Sequence, residues 1–234
     1  MNLTIKKTTI LTLALFCQNV FSGDMGSSQL TTFMPGWYVG GALGVSDLQD
    51  RTSHSVETEL HHLGGIGIVG GGVLGYEFNI YEHLKLGVEG FGNAAGLNTA
   101  IKHYDLTTGI QDNSEEFKNR YNAGIRILPG YQFNPHSDAH LIFGYANGSF
   151  KNNDNGTYGY LNSSFYASGF QSGVGWKTDF FQQSTLLRLD MLYTRYANKT
   201  SRGTALAGSG TAFQYYSDTF STLEADITLI YKFC

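Results

Sequence analysis

The chain has 234 residues, room for one all-β unit or for one to two ordinary domains. Thirty glycines, 14% aromatic residues and a charged content of 15%, against roughly 25% in soluble proteins, exclude a disordered polypeptide. Asp plus Glu number 19 against 15 for Lys plus Arg, and the basic residues are scattered, so no cationic face neutralises phosphates and nucleic acid is excluded as a partner.

Lys6 and Lys7 precede an apolar stretch, Thr8 to Phe16, that is too short to span a bilayer as a helix but has the length of a signal-peptide core. Val20 and Ser22 satisfy the small-residue rule, so cleavage is expected after Ser22, with Gly23 as the next-best last residue. That divides the chain into a signal peptide at 1–22, a short lead at 23–35 and an exported domain at 36–233. Phe16 stands before Cys17 where lipoprotein processing needs something small, so no lipid anchor is expected. Only Cys234 survives maturation, which leaves no intramolecular disulfide. The nearest approach to a transmembrane helix, Leu63 to Tyr76, is half glycine, so a helical membrane protein is excluded.

Eight segments with period-two alternation follow, one parity apolar and the other small or polar. Trp37, Val39, Gly41, Leu43 and Val45 share a face of the first; Ile66, Ile68, Leu74, Tyr76 and Phe78 dominate the second; Leu84, Leu86 and Val88 mark the third. The fourth sets Tyr121, Ala123, Ile125, Ile127, Tyr131 and Phe133 against Asn122, Gly124, Arg126, Gly130 and Gln132. Leu141, Phe143 and Tyr145 mark the fifth, Phe170, Val174 and Trp176 the sixth, and Leu187, Leu189, Met191 and Tyr193 the seventh. The eighth is clearest: Leu223, Ala225, Ile227, Leu229, Tyr231 and Phe233 against Glu224, Asp226, Thr228 and Lys232.

The connections sort by length. Asn79 to His83, Asn134 to Asp138 and Thr178 to Gln183 are short, whereas 46–64, 93–119, 148–164 and 197–216 are long and polar, and the two kinds alternate strictly. Short periplasmic turns, long outer loops and apolar-out strands of about 10 residues describe a transmembrane β-barrel; a soluble sandwich has no reason to sort its loops. The fold expected is therefore an all-β, eight-stranded antiparallel up-and-down barrel.

On the inferred lumen parity lie Lys85, Arg126, Lys177, Arg188 and Lys232 with Glu77, Glu89, Asp190, Glu224 and Asp226, equal numbers of each sign. An eight-stranded interior is only wide enough for side chains to fill it, so these charges are expected to pair. Arg188 is expected to fork between Asp190 and Glu224 or Asp226 of the adjacent last strand. Trp37, Tyr76, Phe78, Tyr131, Phe133, Trp176, Tyr231 and Phe233 gather at the short-turn ends and read as an interfacial girdle.

Other motifs weigh less. Gly65-Ile66-Gly67-Ile68-Val69-Gly70 is a literal G-x-G-x-x-G with Glu89 near the ribose-acid spacing, but no helix is expected to follow it, and no cofactor is indicated. Adjacent His61 and His62 would point to opposite faces of a strand and lack further ligands, so no metal is expected. His103, Tyr104, Asp105, Ser114 and Glu115 contain the residue types of hydrolytic sites, as polar loops generally do. Asn147-Gly148 and Asn155-Gly156 read as hairpin signals.

Gly36-Trp37-Tyr38-Val39-Gly40-Gly41, Leu128-Pro129-Gly130-Tyr131-Gln132-Phe133, Leu187-Arg188-Leu189-Asp190 with Tyr193, and the closing Leu229-Ile230-Tyr231-Lys232-Phe233 resemble the OmpA-like, opacity-type outer-membrane β-barrels of the porin family. The resemblance covers 36 to 233. It implies eight antiparallel strands in a Gram-negative outer membrane, contact with the lipid bilayer and its lipopolysaccharide, and insertion by the barrel assembly machinery reading the last strand. It also implies outer loops that often mediate adhesion, host contact or immune evasion; no enzymatic activity is expected. Two departures stand out: Cys234 follows the terminal Phe233, and no peptidoglycan-binding domain is expected after the barrel. The leading functional expectation is a structural and surface-interaction protein; a small porin-like diffusion channel is the alternative, and a lipid- or peptide-hydrolysing barrel a third reading.

Overall fold

Period-two alternation gives a strand two unlike faces, and a sheet of such strands in lipid must close on itself because hydrocarbon offers no partner to an open edge. The computed structural model shows that closure. It describes residues 35–54, 60–104, 111–155, 159–182, 184–205 and 213–233. The expected signal peptide at 1–22, nearly all of the expected lead at 23–35 and Cys234 lie outside the described residues.

The strands are β1 (Gly36–His54), β2 (Leu60–Tyr81), β3 (Leu84–Tyr104), β4 (Gln111–Asn134), β5 (Ser137–Asn155), β6 (Gly159–Gln182), β7 (Thr185–Tyr196), β8 (Lys199–Ala205) and β9 (Phe213–Lys232). All pairs are antiparallel, sequential strands are neighbours except β7 and β8, and β1 pairs with β9 from Tyr38↔Lys232 to His54↔Tyr216, which closes the ring. Among the described residues nine elements make eight staves. Both β7 and β8 lie between β6 and β9, and the chain merely leaves strand conformation at Ala197 and Asn198 before resuming the same course.

Tight turns at Glu82-His83 and Pro135-His136, and the approach of Gln182 to Thr185, fall where the short connections were read. The long ones differ from expectation. Much of 46–64, 93–119, 148–164 and 197–216 is strand: β1 to β6 run 19 to 24 residues, about twice what crosses a bilayer. Composition misled here because Asn-, Ser- and Gly-rich sequence usually marks loops, yet a hairpin already registered by its membrane-spanning half can zip onward with polar residues outside. Asn147-Gly148 is accordingly no hairpin turn; it lies inside β5, opposite Ala123 on one side and Ser168 on the other. The G-x-G-x-x-G run sits wholly within β2, strand on both flanks.

The outer face is apolar without being covered by protein: Ile66 is 78% exposed and Leu43 65%. Exposed apolar area on that scale requires a nonpolar solvent. The buried residues lie inside the ring, in one cluster around Leu48, Leu97, Phe117, Phe150 and Phe220 and two smaller ones nearer the short turns.

Candidate functional site: a lumen in two halves

Nearest the short turns, inward parity brings Glu77 of β2, Lys85 of β3, Asp138 of β5, Lys177 of β6 and Lys232 of β9 together. Glu77 takes a short contact from Lys177, another from Lys232 at 3.1 Å, and lies 3.8 Å from Lys85. Asp138 is 3.2 Å from both Lys85 and Lys177. One level further in, Glu89 of β3 is the hub. Arg126 Nε donates to it closely, Arg188 donates through two nitrogens at 2.7 and 3.2 Å, and the Tyr38 hydroxyl donates at 2.9 Å. Asp190 Oδ2 lies 2.8 Å from Arg188 Nε, and Asp190 Oδ1 is 3.1 Å from His140 Nε2. The other nitrogen of His140 is 3.7 Å from Asp138, so this ring links the two levels.

Arg188 therefore pairs differently from expectation. Its forked partner is Glu89, across the lumen, and neither Glu224 nor Asp226 of the adjacent strand. Register explains this: β9 places Thr228 opposite Arg188 and sets Asp226 opposite Asp190, a like-charge pair. Inward side chains of a narrow barrel point at its axis, so a long guanidinium reaches the far wall more readily than a neighbour on its own side. Among the described residues, Glu224 accepts from Asn93 Nδ2 at 3.3 Å and Asp226 has Thr228 Oγ1 at 3.5 Å, with no lysine or arginine within ion-pair distance of either. All ten charged residues assigned to the lumen by parity are buried, and so are Asp138 and His140, which sequence reading passed over.

Room inside this half is small. A void of about 20 Å³ among Glu77, Lys85, Asp138, His140, Lys177 and Arg188 accommodates about one water. Glycine on the inward face makes the space for these side chains: a Cβ on Gly75 would lie 2.4 Å from the Tyr38 ring.

Beyond Arg126, whose guanidinium stands 4.9 Å above the Phe91 ring, the filling changes character. Phe117, Phe150, Phe165, Tyr196 and Phe220 come inward from β4, β5, β6, β7 and β9 and stack at centroid distances of 4.6 to 6.3 Å, which suits offset and edge contacts. Phe117 and Phe150 are fully buried. Gly148 makes room here, since a Cβ on it would meet Phe150 at 2.7 Å. Phe117 and Phe150 lie in stretches read as loops, and Phe165, Tyr196 and Phe220 between those stretches and the alternating segments, so sequence reasoning missed them; inward parity carried through from Ala146, Gln171, Thr194 and Thr222 marks Phe150, Phe165, Tyr196 and Phe220, whereas an irregularity between Asn119 and Tyr121 shifts the parity before Phe117.

On the outside, Trp37, Tyr131, Tyr231 and Phe233 are more than half exposed, Phe78 and Phe133 less so, and Tyr76 and Trp176 are half-buried. Trp37 meets Tyr76 edge-on at 5.3 Å, Tyr76 meets Phe78 at 4.6 Å, and Tyr231 meets Phe233 at 5.3 Å. In the outer extension Glu116 receives Lys118 at 2.7 Å and Asn153 at 3.3 Å; partial burial pushes its carboxyl up, but these donors prevail and hold it below the usual glutamate range. His103 pairs in register with Asn113, and Ser114 with Lys102, at the end of the β3–β4 hairpin, whereas Asp105 and the side chains of His103, Tyr104 and Glu115 lie outside the described residues. No cluster of His, Cys, Asp and Glu with metal-holding geometry occurs among the described residues.

A closed antiparallel ring with an apolar outside and a charged, filled inside accords with the comparison to known families, in which the outer membrane protein β-barrel domain matches residues 8–224. The chain belongs to that family. It is a protein of the Gram-negative outer membrane. Among solved structures this outer-membrane barrel is similar to the outer membrane protein OprG from Pseudomonas aeruginosa, at 10% identity and a TM-score of 0.52, over 85% of this chain and 96% of that one. It is also similar to Neisserial surface protein A at 12% identity, with a TM-score of 0.46 over 85% and 97% of the two chains. For Ail, the attachment invasion locus protein of Yersinia pestis, identity is 14% and the TM-score 0.36, over 83% and 99%. At these identities the likeness speaks to fold alone. No curated protein matches the chain.

Proposed function

We propose that this outer-membrane barrel is a closed scaffold that presents its tall strand hairpins at the cell surface for adhesion or host contact. The observation carrying this reading is that β1 to β6 continue well past the length a bilayer requires, while the lumen behind them is filled. The ion-paired lumen charges brace the staves from inside. The Trp37-to-Phe233 aromatics seat the barrel at the periplasmic interface, and β9 with its terminal aromatics is the segment the assembly machinery reads. Lipopolysaccharide surrounds the outer rim.

A diffusion channel would need a path past both the roughly 20 Å³ void and the aromatic layer. Planar-bilayer recording of the purified barrel tests closure, with no sustained openings expected and stable nanosiemens openings refuting it. Adhesion of cells displaying the full chain to immobilised extracellular-matrix protein tests the surface role. A variant shortened symmetrically at the β1–β2 and β3–β4 hairpin ends should lose attachment while keeping heat-modifiable gel mobility; attachment equal to that of the full chain would refute the role of the hairpins.

A further inference from the structure

The outer faces of three neighbouring strands change from apolar to polar at one level. On β1 the outward row runs from Trp37 to Val45 and then becomes Asp47, Gln49 and Arg51; on β9 it runs from Tyr231 to Leu223 and then becomes Ser221 and Thr219; on β7 Tyr193 gives way to Arg195. Ten residues from Trp37 to Asp47, at about 3.3 Å each and tilted about 40°, rise about 25 Å, the height of the apolar band of such barrels. The polar rows therefore begin at headgroup level of the outer leaflet.

A depression of about 460 Å³ lies there. Its floor is Thr219 and Ser221, short side chains that leave the surface low between two exposed arginines. Arg51 pairs in register with Thr219, while Ser221 pairs with Gln49 on one side and Arg195 on the other. The two arginine Cα atoms are thus about 12 Å apart, and the guanidiniums can converge over the hydroxyls. Among the described residues neither has a carboxylate within ion-pair distance. Asp47 also lines the depression, but it sits one row nearer the apolar band and accepts from Gln49 Nε2 at 3.0 Å. Asp50 also lines the depression, but it belongs to the inward row of β1 and is buried.

We infer that this depression binds the phosphate monoester of a lipid headgroup, gripped by Arg51 and Arg195 and hydrogen-bonded by Ser221 and Thr219. Guanidinium groups fit phosphate oxygens in forked pairs, and hydroxyl donors complete the shell. A lipid, in preference to free phosphate, follows from position: the acyl chains of a molecule held there would lie along Leu223, Tyr193 and Val45, all exposed and apolar directly beneath. This site is independent of the surface-contact reading, because it uses the lipid-facing wall and not the hairpin ends.

Native mass spectrometry of the full barrel in neutral detergent tests it, with phosphatidic acid and phosphatidylcholine of identical chains as probes. The wild type should retain the phosphomonoester lipid about tenfold over the zwitterionic one, and R51A/R195A should bring the two near parity. Heat-modifiable mobility checks that the variant is folded. R51K/R195K keeps charge and loses the fork, and should fall between them. Millimolar inorganic phosphate that displaces the lipid completely would overturn the lipid assignment in favour of free phosphate. No preference in the wild type, or an undiminished preference in a folded R51A/R195A, would overturn the site altogether.

Discussion

The two halves of the lumen fill the same narrow cylinder by opposite means. Toward the short turns, strands on opposite walls are tied by directional ion pairs, with Glu89 of β3 receiving Arg126, Arg188 and Tyr38 at once. Toward the outside, five aromatic rings from five staves interlock without a fixed donor or acceptor. Either half is packed with side chains, but each answers to mutation in its own way. An ionic hub is worth little net when complete and costs much when one member is removed, because the others stay buried and unpaired. A hydrophobic layer loses stability in proportion to the volume deleted.

The sharpest test of that contrast is Glu89→Ala. Two guanidiniums and a phenol would lose their common acceptor in a dry site, and a loss of about 5 kcal/mol, the upper end for breaking a buried pair, is expected in reversible urea unfolding in lipid. Replacing the hub as a unit, with Glu89→Leu, Arg126→Met and Arg188→Met together, should cost much less than the separate losses summed. Additive losses would mean that the arginines find other partners and that no hub exists.

Phe150→Ala comes next. The ring is fully buried and contacts Phe117, Phe165, Tyr196 and Phe220, so its removal should cost about 3 kcal/mol, whereas Phe150→Leu should cost nearer 1 kcal/mol. That graded response, measured in the same assay, separates the aromatic half from the ionic one. An all-or-none response would make Phe150 part of a specific contact.

How much of this could be read beforehand depends on where the physics acts. Parity was legible in the membrane-spanning half because lipid forces every outward position to be apolar, which is why Glu89, Arg126 and Arg188 stand out against Val88, Ile127 and Leu189. Asp138 and His140 share the inward parity of Ile142, yet lay beside a turn and were absorbed into it. Above the bilayer the outward positions face water, so Lys118 and Lys151 alternate with Phe117 and Phe150 in the reverse sense from the strands below. Aromatic-in and polar-out then resembles a decorated loop. Which carboxylate Arg188 finds depends on distance across the barrel, a property of closure that no single strand encodes.

A smaller expected effect comes from adding volume. Gly148→Ala would push a methyl to within 2.7 Å of Phe150 and 3.3 Å of Tyr196; the cost should be about 1 to 3 kcal/mol, as for overpacked cores. Combined with Phe150→Leu it should cost less than the two separately, because the shorter side chain frees the space. Strict additivity would place the strain in the backbone and not in the ring.

The smallest effect is expected outside the lumen altogether. Tyr121 of β4 and Tyr166 of β6 meet on the outer face across β5, hydroxyl to hydroxyl at 3.0 Å and ring to ring at 6.4 Å. Both rings are exposed, so in Tyr121→Phe the hydroxyl left behind on Tyr166 can find water or a lipid headgroup. The loss should stay below about 0.5 kcal/mol, the low end for a hydrogen bond whose partner is resolvated. Tyr38→Phe is its counterpart inside: the same single hydroxyl is deleted, but the acceptor is the buried Glu89 carboxylate, and hydrogen bonds to charged groups are worth about 1.5 to 3 kcal/mol. Measured side by side in lipid, the two substitutions isolate burial as the variable. Equal losses would mean that Tyr38 is hydrated and that the ionic half of the lumen is open to water.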